Sequence, residues 1–317
     1  MKALWLERGA LRLVDAPTPR IDTDEALIKV LKAGICGTDA ALVAGMYAFT
    51  GTPGHEFVGI VEAGPEALTG RRVVGEINIV CGSCKMCASG WSKHCSRRTA
   101  LGIRGRNGAF AEYLTLPIRN LHPVPSEVSD EAAVFTEPLA AALDVLEHVD
   151  LETAERTLVV GDGKLAQLVC RVLARAGARV EVIGRHQRKL ERLEGVAWKI
   201  HRQQTALKRH FDLAVECSGN PSGLATALDV LRPRGTLILK STLSSAARAD
   251  TARLVVDELR LVGSRCGPFP RALELLASGE LDVQTLIDDR YPLQQGVEAF
   301  ERSRRPGVLK VLLNADT

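Results

Sequence analysis

The sequence predicts an α/β protein in two domains, one β-rich and one built on a doubly wound parallel sheet. Three observations carry this. The 317 residues are too many for one ordinary hydrophobic core and suit two of comparable size. The first third is rich in Gly and in short β-type runs. From about residue 157, short apolar runs alternate with segments of helical spacing. Strand, helix and strand repeated in this way imply a parallel sheet with right-handed crossovers.

In the first third, residues 26–30, 58–63 and 72–75 read as strands, with turns at Gly51-Thr52-Pro53-Gly54 and Gly64-Pro65. Residues 131–148 are Ala- and Leu-rich at helical spacing, interrupted by Pro138. Next come a strand at 157–160, a helix at 165–176 closed by Gly177, a strand at 179–183 and a helical segment at 187–193. Residues 213–216 and 236–239 read as further buried strands with a helix at 223–231 between them. The tail holds one helix at 297–303 and one strand at 308–312. No repeat or low-complexity linker intervenes, so the expected domains are 1–140, completed by 281–317, and 141–280.

Composition narrows the function. Hydrophobic residues are 46% and charged residues 25%, the balance of a compact soluble protein. A formal charge of +3 leaves no electrostatic footprint for nucleic acid. No apolar run reaches the roughly 18 residues of a membrane span. Residues 1–14 alternate charged and apolar types and lack the apolar block of a signal peptide, so a cytoplasmic location is expected. Four of the eight cysteines crowd into residues 81–95, which in a reducing compartment reads as a metal site rather than as disulfides.

Thr157-Leu158-Val159-Val160-Gly161-Asp162-Gly163-Lys164-Leu165-Ala166 is a strand, a Gly-x-Gly-x-x-Ala turn and a helix start. Gly161 permits the tight turn, Gly163 lets backbone approach a pyrophosphate, and Ala166 keeps the helix close to the sheet. The helix start at Lys164 and Leu165 offers backbone N–H groups to the phosphates. Embedded in a strand–helix–strand unit, this turn is a strong signal for a dinucleotide. The second strand ends in Gly184-Arg185-His186, followed by Arg188, with no carboxylate to meet a ribose hydroxyl; Glu181 lies earlier, inside the strand. Arg185 and Arg188 suit a 2′-phosphate, favouring NADP(H) over NAD(H), unless they merely solvate the helix start. Cys217 and Ser218, and Lys240 and Ser241, stand at the carboxyl ends of later strands, where such sheets bind ligands. Lys240 either reaches the cofactor or lies at the surface, and the same choice holds for Arg265.

Cys81-x-x-Cys84-x-x-Cys87 followed by Cys95 offers four thiolates, the donor set of a closed, structural tetrahedral zinc. Further candidate ligands lie upstream in Gly34-Ile35-Cys36-Gly37-Thr38-Asp39 and Gly54-His55-Glu56. These segments, with Glu137-Pro138-Leu139-Ala140, Tyr291-Pro292-Leu293 and Glu298-Ala299-Phe300, occur in an ordered set that resembles the zinc-containing medium-chain dehydrogenase/reductases. The resemblance runs almost end to end and is nearest to the polyol, sugar and threonine dehydrogenase branch. It implies a GroES-like β-rich catalytic domain, completed by the tail, with a Rossmann dinucleotide domain.

Carried over by position, Cys36 and His55 would bind a catalytic zinc, with Glu56 or Glu137 as third ligand. Asp39 would orient His55, and Thr38 would take the alcohol proton. The histidine that often relays this proton onward is missing, since Ala40 and Ala41 follow Asp39. The function implied is hydride transfer between an alcohol, polyol or sugar carbon and NAD(P), by a homodimer or homotetramer with one catalytic and one structural zinc. Two alternatives stand beside it: threonine dehydrogenase-like oxidation of an amino acid, and a non-catalytic NADP(H)-binding redox sensor.

Overall fold

The structure, a computed structural model, describes residues 1–203, 205–207, 209–242 and 249–315. The chain forms two compact units, Met1–Glu137 with Phe269–Thr317, and Pro138–Pro268.

The first unit opens with an antiparallel hairpin, Lys2–Glu7 against Ala10–Asp15. Its main sheet runs, in spatial order, Ile287–Pro292, Lys310–Asn314, Glu25–Gly34, Glu56–Ala63, Arg72–Gly75 and Leu121–Pro123, with Tyr113–Pro117 also paired to Glu25–Gly34. Alternation in Glu25–Gly34 sends Ala26, Ile28 and Val30 inward, each fully buried, while Lys29 and Lys32 lie less deep. The tail returns to this unit through Lys310–Asn314, which pairs in parallel with Ile287–Pro292 and antiparallel with Glu25–Gly34.

The helix Phe269–Ala277 also belongs here, so the chain re-enters the first unit twelve residues before the expected boundary at 281. Its Phe269 ring lies 5.5 Å from the ring of His122, and Leu273 and Leu276 are buried. Pro138 does not interrupt a helix. It is the third residue of Thr136–Leu143, in the first turn, where its missing N–H removes no intrahelical bond.

The second unit is a six-stranded parallel sheet in the order Lys199–Arg202, Val180–Gly184, Thr157–Val160, Phe211–Glu216, Leu231–Leu239 and Arg260–Gly263. Numbered along the chain this is 3-2-1-4-5-6, the doubly wound order, whose direction reverses between Thr157–Val160 and Phe211–Glu216. Residues 157–160 are buried throughout because helices cover both faces of a parallel sheet. The helix Lys164–Arg175 buries Ala166, Leu168, Val169, Val172 and Leu173. Gln167 Nε2 donates to Lys189 O at 2.7 Å and an Arg171 guanidinium nitrogen to Arg192 O at 2.8 Å, tying this helix to Gln187–Glu191. Pro221 and the Asn220 side chain, which accepts from Gly223 N at 2.9 Å, start the helix Pro221–Asp229. Among the described residues no helix is long and apolar enough to cross a membrane.

Candidate active site

In the first unit the pairing of Glu25–Gly34 with Glu56–Ala63 sets Gly34 opposite Glu56. The chain continues to Cys36 on one side and arrives from His55 on the other, so two distant motifs meet. Their ligand atoms and that of Glu56 lie within 4.8 Å of one another. A thiolate, an imidazole and a carboxylate at that spacing suit a tetrahedral zinc with one position open. Gly34 makes room for this set, since a Cβ there would stand 2.6 Å from Glu56 Oε2.

Cys36 is also the N-cap of the helix Gly37–Val43. Its N–H donates to Asp39 Oδ2 at 2.8 Å, which anchors the carboxylate at the helix start. The other oxygen, Asp39 Oδ1, lies 3.5 Å from His55 Nδ1, with both side chains buried and neither atom hydrogen-bonded. Burial opposes a charge on His55, but Asp39 and Cys36 outweigh it and hold the imidazole pKa well above its ordinary value. The surroundings therefore favour a positive centre at this point, which is what a metal dication supplies. Cys36 Sγ stands 3.8 Å from Thr38 Oγ1, so the threonine hydroxyl lies beside the ligand set.

Lys310 escaped the sequence reading. It sits in the strand Lys310–Asn314, is 1% exposed, and its ammonium is paired with Glu56 Oε2. Burial works against its charge, but Glu56 together with Cys36 raises its pKa above the usual lysine value, with a smaller contribution from Glu137. Glu137 is half-buried on the helix Thr136–Leu143 and is not one of the three residues whose ligand atoms converge. The sequence did carry a sign of Lys310, an ammonium side chain inside the apolar run Val308-Leu309-Lys310-Val311-Leu312-Leu313.

The four-cysteine loop is drawn together in the same unit. Sulfur separations are 3.5 Å for Cys84–Cys87, 3.5 Å for Cys81–Cys95, 3.7 Å for Cys84–Cys95 and 4.0 Å for Cys81–Cys87. Four sulfurs about 2.3 Å from a central zinc have edges of about 3.8 Å, whereas a disulfide needs about 2.05 Å. The spacing fits the metal. The backbone N–H of Ser83, aided by that of Cys84 and by the Arg97 guanidinium, pulls the Cys81 thiol down to about 5.

In the second unit a crevice opens where the sheet order reverses. Gly161, Gly163, Gly184, Arg185, Cys217 and Ser218 of the expected cofactor residues line it. Ala166 is fully buried against the sheet, as the turn motif requires, and Lys164 and Leu165 open the helix Lys164–Arg175. Glu181 is engaged by His201, whose Nε2 lies 2.6 Å from its Oε2.

Two expectations change here. Arg188 is exposed on the helix Gln187–Glu191 and does not line the crevice; Lys189, one residue on, does, together with His186. Lys240 is half-buried and tied to backbone at its strand end. Its ammonium donates to Ala141 O at 2.6 Å, Ser264 Oγ at 3.0 Å and Arg265 O at 3.0 Å. The Arg265 N–H reaches Asp144 Oδ2 at 3.1 Å, so this loop is held by its backbone while its side chain stays exposed. Ser241 Oγ accepts from Gly219 N at 3.0 Å and shapes the neighbouring strand end.

A doubly wound dinucleotide fold with a Cys–His–carboxylate set and a four-cysteine loop defines the zinc-dependent oxidoreductases. Comparison with known proteins agrees. The alcohol dehydrogenase GroES-like domain family matches residues 22–126 and the zinc-binding dehydrogenase family residues 165–278. An L-threonine 3-dehydrogenase of Streptomyces avermitilis is 32% identical over 343 aligned positions, covering 99% of each chain. A solved zinc-binding dehydrogenase from Sinorhizobium meliloti bound to NADP superposes with a TM-score of 0.91 at 27% identity, over 99% of this chain and 98% of that one. An alcohol dehydrogenase from Escherichia coli complexed with NADH gives 0.90 at 26% identity, over 99% of each. The chain belongs to the zinc-binding medium-chain dehydrogenases and is an oxidoreductase that uses zinc and a nicotinamide cofactor.

Proposed function

We propose that the chain oxidises an alcohol or polyol carbon, with Cys36, His55 and Glu56 as ligands of a catalytic zinc and a second zinc in the cysteine loop. The observation that carries this is the convergence of those three ligand atoms within 4.8 Å, backed by Asp39 behind His55. When bound, the catalytic zinc supplies Lewis acidity to the substrate oxygen and the nicotinamide supplies the hydride acceptor. Asp39 fixes the His55 ring and raises its basicity. Thr38 Oγ1 accepts the alcohol proton and donates its own outward; with Ala40 and Ala41 following Asp39, water or a cofactor hydroxyl takes it from there. Lys310 is paired with Glu56 Oε2, and Glu137 is kept as the alternative third ligand.

NADP(H) is the proposed cofactor. Arg185, His186 and Lys189 line the crevice beyond the second strand, which ends without an acid of its own. The proposed assembly is a homodimer or homotetramer and the proposed compartment the cytoplasm, where such thiols stay reduced.

A screen of alcohols, polyols, aldoses and L-threonine with NAD⁺ and NADP⁺, read by reduced-nicotinamide absorbance, tests the reaction. In parallel, His55→Ala should abolish turnover and lower the zinc content from two to one per chain while cofactor binding persists. Full turnover in that variant would remove His55 from the site.

A further inference from the structure

Asp162 stands between the two glycines of the phosphate-binding turn, and its carboxylate reaches across to the end of the neighbouring strand Val180–Gly184. Asp162 Oδ2 accepts the backbone N–H of Arg185 at 2.6 Å and of His186 at 2.7 Å, and Oδ1 lies 3.1 Å from His186 Nδ1. The contact is built into the fold. A Cβ on Gly184 would stand 2.7 Å from both Asp162 Cβ and Oδ2, so the strand ends in Gly where the aspartate crosses it. Burial opposes the charge on Asp162, but the His186 and Arg185 donors outweigh it and keep its pKa below the ordinary carboxylate value.

This arrangement has a chemical consequence. An ionised carboxylate on Nδ1 requires a proton on that nitrogen, which leaves Nε2 as the ring atom available to a ligand. His186 lines the crevice, with its side chain 33% exposed. The sequence shows an Arg-His pair at the end of this strand; the structure shows an acid arriving from the preceding turn, engaged by the histidine ring and the backbone of both residues.

We propose that Asp162 and His186 together select the 2′ substituent of the cofactor: Asp162 positions the ring, and His186 Nε2 binds a 2′-phosphate beside Arg185 and Lys189. The proposal rests on the NADP(H) reading and adds to it the residues that enforce the choice. In the proposed complex Nε2–H donates to a phosphate oxygen, and the phosphate's own charge strengthens that bond. A 2′-hydroxyl offers no such charge.

Isothermal titration of the zinc-loaded full chain with 2′,5′-ADP and with 5′-AMP separates the two ligands by that phosphate alone. Wild-type protein should bind 2′,5′-ADP more tightly. His186→Ala should weaken 2′,5′-ADP about tenfold or more, the worth of one charge-assisted bond, and leave 5′-AMP within about threefold. His186→Gln, which keeps a donor near the Nε2 position, should recover part of the loss. Asp162→Asn should lose discrimination as His186→Ala does, and the double variant should be no worse than His186→Ala, because the aspartate acts through the ring. Equal weakening of both ligands, additive losses, or full discrimination in His186→Ala would overturn the selector. Wild-type protein that binds 5′-AMP as tightly as 2′,5′-ADP would instead overturn the NADP(H) reading itself.

Discussion

At Lys310 a long ammonium side chain ends inside the first unit, paired with Glu56 and lying 5.4 Å from the centre of the Phe135 ring. Neither partner of such a pair tolerates being left alone, since an uncompensated buried charge costs about 3–5 kcal/mol. Lys310→Met should therefore destabilise the unit strongly in urea unfolding, and Lys310→Met with Glu56→Gln should recover much of the loss. A single variant as stable as wild type would show that the charge is not buried as described. The partners lie 254 positions apart, so no spacing rule joins them, although the lysine itself stood out in an apolar run. Cys36, His55 and Asp39 were legible because their motifs are local and their residue types are specific. The difference between Arg188 and Lys189 was not, because a shift of one residue turns a side chain by about 100° around a helix axis.

Within the cysteine loop the regular elements are too short to hold themselves. Lys85–Ala88 and Ser92–His94 each make about one turn, and isolated helices of that length are unstable in water. If the four sulfurs hold the proposed second zinc, metal binding would supply the order of this segment. Cys84→Ser should lower zinc to one per chain and speed proteolysis within residues 81–97, while turnover per zinc-loaded catalytic site stays within about twofold. A defect in turnover with the loop still protected would count against a structural metal. The same scale shows where sequence patterns mislead. Pro138 reads as an interruption, yet it starts a helix turn, and Phe269–Ala277 reads as part of the dinucleotide domain until its buried face is placed against the first unit.

For the molecule as a whole, two units with separate ligands should respond separately to them. A ligand that binds only the folded state adds about 2.7 kcal/mol at a hundredfold excess over its Kd. In calorimetry, 2′,5′-ADP should raise the transition of Pro138–Pro268, and a chelator should lower that of the unit that holds the proposed zinc ligands. A single transition moved equally by both would mean that the units unfold as one. The parallel sheet was legible because each strand–helix–strand step is local and carries its own apolar runs. The seven-stranded sheet was legible only in part, because Ile287–Pro292 and Lys310–Asn314 join strands encoded far upstream.

That late-arriving edge has a bearing on biosynthesis. Glu56 and its counter-ion are made 254 positions apart, so a nascent chain carries this acid unpaired until the strand Lys310–Asn314 has been synthesised and added to the sheet. A nascent chain stalled before residue 310 would expose an unpaired acid to the thiolate beside it. Pairing of the two charges is thereby coupled to the docking of that late strand.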